Sequence, residues 1–443
     1  MINMNRILIN NDSSILLYRV NQIACLMMCM WIAIPYFRVR VGVAFLLIMF
    51  GIWIITTDLK WLTKKLTLDL FLVVVFFATF IPYIVSGSLQ YGEAGPNMIR
   101  VNFPIFFVGI FINHYYMYYK EDYKVLGRIA FFSLVFFTIG SIQTYIGLLK
   151  YPMASRELAG AVVNNPVLGM LYNKLGIGGF GHIYSASFLL VVSLYLLIRK
   201  SALITIKERI LASITVISIF LMLLQASYAT SLIIIFLGFL LVLFVRNISS
   251  FIISIIVAGT LFLIVPKNIV NQFLLEISYF FSGNFILNEK FSDLANTFLF
   301  NTGDGQTGDR IILYKNSLHT FFSNPLFGIY GPFGNLNAGS IGGHSGWLDL
   351  LGYYGLFTVI PLFLTIFFNF RKHMRFYKNT NFYGFIIVIF FLILVFGLIN
   401  PILYVYEIGY VLFCIVPAIP FIGYAFNNNK VELNRSLKEG MEK

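Results

Sequence analysis

The chain has 443 residues, of which 59% are hydrophobic, 18% aromatic and only 11% charged, with a formal charge of +13. A soluble globular protein carries about 25% charged residues, so the composition excludes a water-soluble fold and places the chain in a lipid bilayer. The positive charge needs no nucleic acid to explain it, because Lys and Arg cluster between apolar runs, as in the cytoplasmic loops of membrane proteins.

At the start, polar Asn residues surround Arg6 and no small-residue cleavage site follows a short apolar core, so the N-terminus does not read as a cleavable signal. Crossing a bilayer takes roughly 20 apolar residues of helix. Twelve candidate spans meet this, at 18–37, 39–57, 66–88, 97–115, 126–149, 180–198, 208–225, 228–245, 249–266, 346–368, 382–400 and 402–425. Cys25 and Cys29 share a helical face, with no nearby Cys or His to complete a zinc set, and Cys414 lies in another apolar run. All three read as small packing residues. Tyr115, Tyr116, Tyr118 and Tyr119 read as an aromatic belt at one membrane interface.

Charge orients the set. Arg6, Arg19 and the basic residues following spans two, four, six, eight, ten and twelve place 21 of the 31 Lys and Arg residues on one side. By the positive-inside bias that side is cytoplasmic, with both termini and with His114 and His373. The reading is therefore one polytopic membrane domain with a short cytoplasmic tail over 427–443. Two large loops face outward, 150–179 and 266–345, the second far longer than an ordinary connection. Within it, Phe273 to Phe300 is apolar but interrupted by Glu276, Glu289, Lys290 and Asp293, a pattern for helices lying along the membrane surface. A thirteenth span there would put Arg371–Lys378 outside, and is rejected on that ground.

The densest polar cluster is Gly303-Asp304-Gly305-Gln306-Thr307-Gly308-Asp309-Arg310, followed by Ile311 to His319. Asp309 is placed to cap a short amphipathic helix that ends before Asn324-Pro325. A glycine-rich stretch, Gly328 to Gly334, then leads to Gly342-Gly343-His344-Ser345-Gly346-Trp347 at the outer N-terminus of the tenth span. Free N–H groups and a partial positive charge make a helix N-terminus a natural phosphate site, and glycines permit close backbone approach. No Gly-Lys-Ser/Thr follows, so this is not a Walker loop. Arg310 and His344 are the leading candidates. Asp304, Asp309 and Glu276 are alternative bases, and Arg100, at the outer end of the fourth span, either snorkels to the interface or lines a phosphate pocket. His182 reads as an interfacial residue.

An Arg opening a helix, then Asn324-Pro325-Leu326-Phe327-Gly328-Ile329-Tyr330-Gly331, then His344-Ser345-Gly346-Trp347-Leu348-Asp349-Leu350-Leu351-Gly352-Tyr353-Tyr354-Gly355-Leu356, resembles the C-terminal signature of the O-antigen polymerase and ligase family (Wzy-type polymerases, WaaL-type ligases). The signature covers about 310–360, and the span count and two outward loops match the family across the chain. One departure is Ser345, where the family often has Asn.

The resemblance implies an all-α integral membrane fold like the class C glycosyltransferases. It also implies a donor glycan on undecaprenyl pyrophosphate, on the outer face of a bacterial cytoplasmic membrane. Arg310 would hold the pyrophosphate, and His344 would take the proton of the acceptor hydroxyl or serve as a further phosphate donor. Arg156 is a second pyrophosphate candidate, since related enzymes carry an Arg in the first large loop. Their Arg-x10-Gly pattern is not matched, the nearest fit placing Gly169 thirteen residues after Arg156. No metal or other cofactor is expected, and no Asp-x-Asp occurs in an outward loop. Partners would be the lipid-linked oligosaccharide, the bilayer and a chain-length regulator in the membrane. Product polymerisation into O-antigen, capsule or other exopolysaccharide is the leading activity. Two alternatives stay open: a ligase moving finished glycan onto a lipid or protein acceptor, and a flippase for a lipid-linked sugar. A transporter would place its ionisable groups near the midplane, whereas here they concentrate in outward loops.

Overall fold

The computed structural model describes residues 2–64, 66–85, 101–158, 166–199, 205–300, 306–330 and 341–426, and every regular element among them is helical. Eight helices are long and apolar enough to cross a membrane: Ile15–Ala33, Pro35–Thr56, Leu68–Val85, Tyr123–Lys150, Phe180–Ile198, Ile206–Ala226, Gly346–Phe376 and Tyr406–Tyr424. A ninth is reached if the bent pair Ile248–Ile264 and Lys267–Phe280 counts as one. These are the positions expected of nine of the twelve runs. Two further runs form Ala229–Phe244 and Tyr383–Ile399, of 16 and 17 residues. At 1.5 Å per residue they measure roughly 24–26 Å, a few ångströms less than the hydrocarbon core. The remaining run continues from Phe103–Asn113 into a π-helical turn, His114–Tyr119, while its beginning, with Arg100, lies outside the described residues, as does the 427–443 tail.

The chain divides into two compact units. The first comprises Met1–Thr67, Gly109–Met222 and Tyr410–Asn429. Its Ile2–Ala33 and Pro35–Thr56 helices form an antiparallel hairpin, with Asn21 Nδ2 donating to the Trp53 carbonyl and Trp31 Nε1 to the Gly42 carbonyl, both at 2.8 Å. Pro35 starts the return helix where its missing N–H would have no partner anyway. The first large loop folds onto this turn, its Pro166–Lys174 helix against the Pro35–Thr56 helix and Gly176 against Tyr36. The opposite end is tied by Tyr18, which donates to Asp122 at 2.6 Å, and by Tyr119, which donates to Asp58 at 2.9 Å. Asp122 also caps Tyr123–Lys150 by accepting from the Val125 N–H at 3.0 Å. Lys60, Lys64, Lys120 and Arg128 therefore gather at one end of the unit, away from the loop that carries Arg156 and Lys174. Cys25, Cys29 and Cys414 are buried and unbridged, and Cys29 Sγ lies 2.6 Å from the Tyr410 hydroxyl. All three sit in the packed interior, collected by two helices from opposite ends of the chain.

In the second unit, built from Leu68–Val108 and Leu223–Gly409 among the described residues, the 31-residue helix Gly346–Phe376 is the central element. It packs on Leu68–Ala78, Gln306–Ser323 and Tyr383–Ile399. Near its C-terminal end Asn369 Nδ2 donates to Asp69 at 2.8 Å and Lys372 pairs with the same carboxylate, which is 1% exposed. A carboxylate at that depth would be costly without such partners.

The Ile248–Ile264 and Lys267–Phe280 helices meet at 101°. Pro266 is the reason: it cannot continue the first helix, and it precedes the second as its N-cap. Lys267–Phe280 then pairs antiparallel with Phe285–Phe300 through Asn271 Nδ2 to the Ala295 carbonyl and Ser278 Oγ to the Asn288 carbonyl. Exposed Ile269, Phe273, Tyr279 and Phe280 give the first arm an apolar outer face. The arm thus leaves the Ile248–Ile264 helix nearly at right angles, as a broken span or a re-entrant turn would.

The central helix is broken at Gly355, where φ is +64°. A break frees carbonyls on one side and N–H groups on the other. Residues 325–330 take both. The Ile329 and Tyr330 N–H groups donate to the Gly352 and Tyr353 carbonyls at 3.0 and 3.2 Å, and the Leu356 and Phe357 N–H groups donate to the Pro325 and Leu326 carbonyls at 2.9 and 3.0 Å. Tyr83 completes the set by donating to the Tyr354 carbonyl at 2.6 Å. The glycine-rich stretch that suggested phosphate approach is thus used, at Gly328, for backbone-to-backbone contact: a Cβ there would lie 2.4 Å from the Tyr353 carbonyl carbon.

Both glycines hold a left-handed backbone against another strand of backbone, so Gly328→Ala and Gly355→Ala each combine a conformational cost of about 1–2 kcal/mol with overpacking of about 1–3 kcal/mol. Each is expected to lower the thermal unfolding midpoint of the detergent-solubilised protein. Gly259→Ala, on the exposed Ile248–Ile264 helix with open space around it, is expected to be neutral or stabilising by up to about 1 kcal/mol. Equal effects from all three would refute the splice.

Candidate functional site

Arg310 and His344 come together in the second unit. Arg310 lies in the first part of Gln306–Ser323, on the same face as Tyr314 and Ser317, because residues three and four apart on a helix are neighbours. Ser317 Oγ donates to Asp349 Oδ1 at 2.6 Å and accepts from the Gly342 N–H at 2.9 Å. Asp349 Oδ2 in turn accepts from the Ser345 N–H at 2.9 Å. The segment 342–345 is thereby fastened on both sides of His344. Ser345 caps the central helix by accepting from the Leu348 N–H at 3.3 Å, and the Gly346 N–H donates to the Asn400 carbonyl at 3.0 Å. The Ser345 side chain therefore serves as a helix cap, which is work a hydroxyl and an Asn amide do about equally well.

Around this frame two positive charges and one carboxyl act on His344. His344 is half-buried, and burial first and the Arg310 charge second hold its imidazole below its ordinary 6.5, with Lys290 adding to Arg310 and the Asp349 carboxyl opposing them. The neutral ring is the resting form at neutral pH. It stands just before the N-terminus of the central helix, whose partial positive charge also disfavours an imidazolium. Burial pushes the Tyr314 phenol up while Arg310 beside it pulls it back, so Tyr314 remains a donor. Its hydroxyl reaches the Ile399 carbonyl at 3.4 Å, joining Gln306–Ser323 to the end of Tyr383–Ile399. Two cations, a neutral imidazole and a phenol therefore share one end of the unit, where a low-dielectric setting strengthens their attraction for anionic oxygen.

The other candidates fall elsewhere. Asp309 is exposed and lies within the first turn of Gln306–Ser323. The helix starts three residues before it, so Asp309 favours the helix dipole and is not the N-cap expected. Glu276 is exposed on Lys267–Phe280. Asp304 and Arg100 lie outside the described residues. Arg156 belongs to the first unit, half-buried in the turn Ala154–Glu157, beside Glu157, which accepts from the Tyr172 hydroxyl at 2.6 Å. His182 is fully buried in the first turn of Phe180–Ile198, its ring parallel to that of Phe137 at 5.8 Å.

Asp349, Ser317, Tyr314 and Lys290 were not singled out in sequence. A signal existed for three of them: Arg310, Tyr314 and Ser317 are spaced four and three apart, and Asp349 is four residues after the capping Ser345. Lys290, 20 residues before Arg310, carried none. No family model matches the sequence, and no curated protein matches it significantly.

Proposed function

We propose that the protein is a membrane glycosyltransferase that polymerises undecaprenyl-pyrophosphate-linked oligosaccharide repeat units at the outer face of a bacterial cytoplasmic membrane. The observation that carries this reading is the meeting of Arg310, Lys290 and a neutral His344 at the head of the central helix, within the stretch that resembles the O-antigen polymerase and ligase signature. The charge distribution along the chain supports an outward site with cytoplasmic termini.

The chemistry follows from the groups present. An acceptor hydroxyl attacks the anomeric carbon of the donor, a C–O bond forms, and the bond from that carbon to the pyrophosphate oxygen breaks. The electron pair leaves on undecaprenyl pyrophosphate. Charge on the departing oxygen grows, and the planar guanidinium of Arg310 pairs with phosphate oxygens, with Lys290 adding a point charge. His344 in its neutral form accepts the hydroxyl proton. Asp349 acts through the Ser345 N–H and Ser317, as a positioning residue for the segment that holds His344.

Complementation of a polymerase-deleted host of the same strain, with membrane expression verified, tests the assignment as a glycan ladder on a gel. Arg310→Ala and His344→Ala are each expected to collapse the ladder to single repeat units, with in vitro rates down by about 10²–10⁴-fold, the range for a lost general base or charge stabiliser. A wild-type protein that restores transfer of glycan to its final acceptor but no ladder would instead identify a ligase. A full ladder from both variants would remove these residues from the site.

Because the folded His344 titrates below 6.5, the base form is complete at neutral pH and is lost only as pH falls through that lower value. The rate of polymerisation by purified protein is expected to be flat near pH 7 with an acid limb below 6.5. Arg310→Gln removes a charge that lowers the His344 pKa, so the limb of its residual activity moves up. A rate that rises on acidification would show that the imidazolium, acting as phosphate donor, is the working form.

Asp349→Asn leaves the volume unchanged but weakens the hold on the Ser345 N–H. A rate loss of up to about 10²-fold is expected, the cost of misplacing a reacting group by about 1 Å. Its acid limb should move to lower pH, since the carboxyl raises the His344 pKa. An unchanged pH profile would make Asp349 a purely structural cap.

A further inference from the structure

A cleft of about 760 Å³ opens at the basic end of the first unit, lined by Arg19, Lys120 and Arg128 together with Tyr18, Tyr115 and Asp58. Its size is that of a small-molecule site. Among the described residues lining it, Asp58 is the only carboxylate, against three cations.

Two of the three cations have partners that hold them in place. Arg128 donates to Gln22 Oε1 at 3.1 Å and to the Ala425 carbonyl at 3.4 Å, which fixes the guanidinium through neutral acceptors. Lys120 Nζ stands 5.8 Å from the Tyr115 ring centre and 5.2 Å from that of Tyr119. Asp122, the nearby acid, is engaged by the Tyr18 hydroxyl and the Val125 N–H. One wall is of a different kind: Ile15, Leu17 and Ile55 line the cleft and are exposed. In a chain that spans a bilayer, exposed aliphatic side chains on helices Ile15–Ala33 and Pro35–Thr56 face acyl chains. The cleft thus joins a cationic floor to an exposed apolar wall.

We infer that this cleft binds the phosphate headgroup of an anionic phospholipid, with its acyl chains against Ile15, Leu17 and Ile55. The inference is independent of the glycosyltransferase reading, since none of these residues belongs to the Arg310–His344 site. Clusters of basic residues at a membrane surface attract anionic lipid by about 1 kcal/mol per Lys or Arg, roughly fivefold in affinity. A free phosphate offers the same oxygens without the apolar anchor, and the test separates the two.

Native mass spectrometry of the purified full-length protein, titrated with phosphatidylglycerol, phosphatidylcholine or inorganic phosphate, reads the site directly. Wild type is expected to retain one phosphatidylglycerol at least tenfold more tightly than phosphatidylcholine, undisturbed by millimolar phosphate. Arg19→Gln, Lys120→Gln and Arg128→Gln should each weaken retention about fivefold, and the triple variant about 10²-fold. Asp58→Asn removes the opposing carboxylate and should tighten it, a gain that misfolding cannot imitate. Equal retention of the two lipids, unchanged retention by the triple variant, weaker retention by Asp58→Asn, or displacement by inorganic phosphate would each overturn the assignment.

Discussion

A bilayer offers no water to backbone groups, so every N–H and C=O at membrane depth must be answered inside the protein. The central helix of the second unit violates its own hydrogen-bond ladder at Gly355, and the chain answers with residues 325–330 and Tyr83. That requirement fixes more than the break. It presses the end of Gln306–Ser323 and the Asn324–Tyr330 turn against the long helix. Ser317 can then meet Asp349, and the Arg310 face of the shorter helix comes to lie beside the segment bearing His344. Catalytic geometry in this reading is downstream of backbone accounting.

Charge follows a second economy. Where a carboxylate is buried, as at Asp69, an ammonium and an amide meet it. Elsewhere charge is grouped with aromatic rings: in the first unit Arg19, Lys120 and Arg128 gather near Asp58 with Tyr18 and Tyr115 among them. At the head of the central helix the balance differs, because Arg310 and Lys290 stand near a carboxyl whose two oxygens already accept from Ser317 and Ser345. The carboxyl is occupied as a structural brace. Burial first, and the Arg310 charge second, hold the His344 imidazole below its ordinary value, so that it rests neutral.

Charged groups are thus collected in two different settings. At the head of the central helix a guanidinium stands with an imidazole that burial and that charge hold below its ordinary range. The described residues lining the Arg19–Lys120–Arg128 cleft combine cations and tyrosines with an apolar wall.

Sequence alone determined the class of fold, because the free energy of placing an apolar helix in lipid depends on contiguous residues. Tyr123–Lys150, Phe180–Ile198 and Ile206–Ala226 were legible within a few positions for that reason. Arg310 and His344 could be singled out as candidates too, since the scarcity of ionisable groups beside apolar surface is a local property, whereas the cap at Ser345 was not anticipated and the one expected at Asp309 is not there. Other features depended on contacts between distant segments. Ser317 meets Asp349 across 32 residues and Tyr83 meets Tyr354 across 271. The three cysteines converge from opposite ends of the chain, and Gly328 serves a splice where spacing suggested a phosphate loop. No periodicity encodes such pairings. They are decided when helices dock, because only then do the unsatisfied groups of one segment find the partners that another supplies.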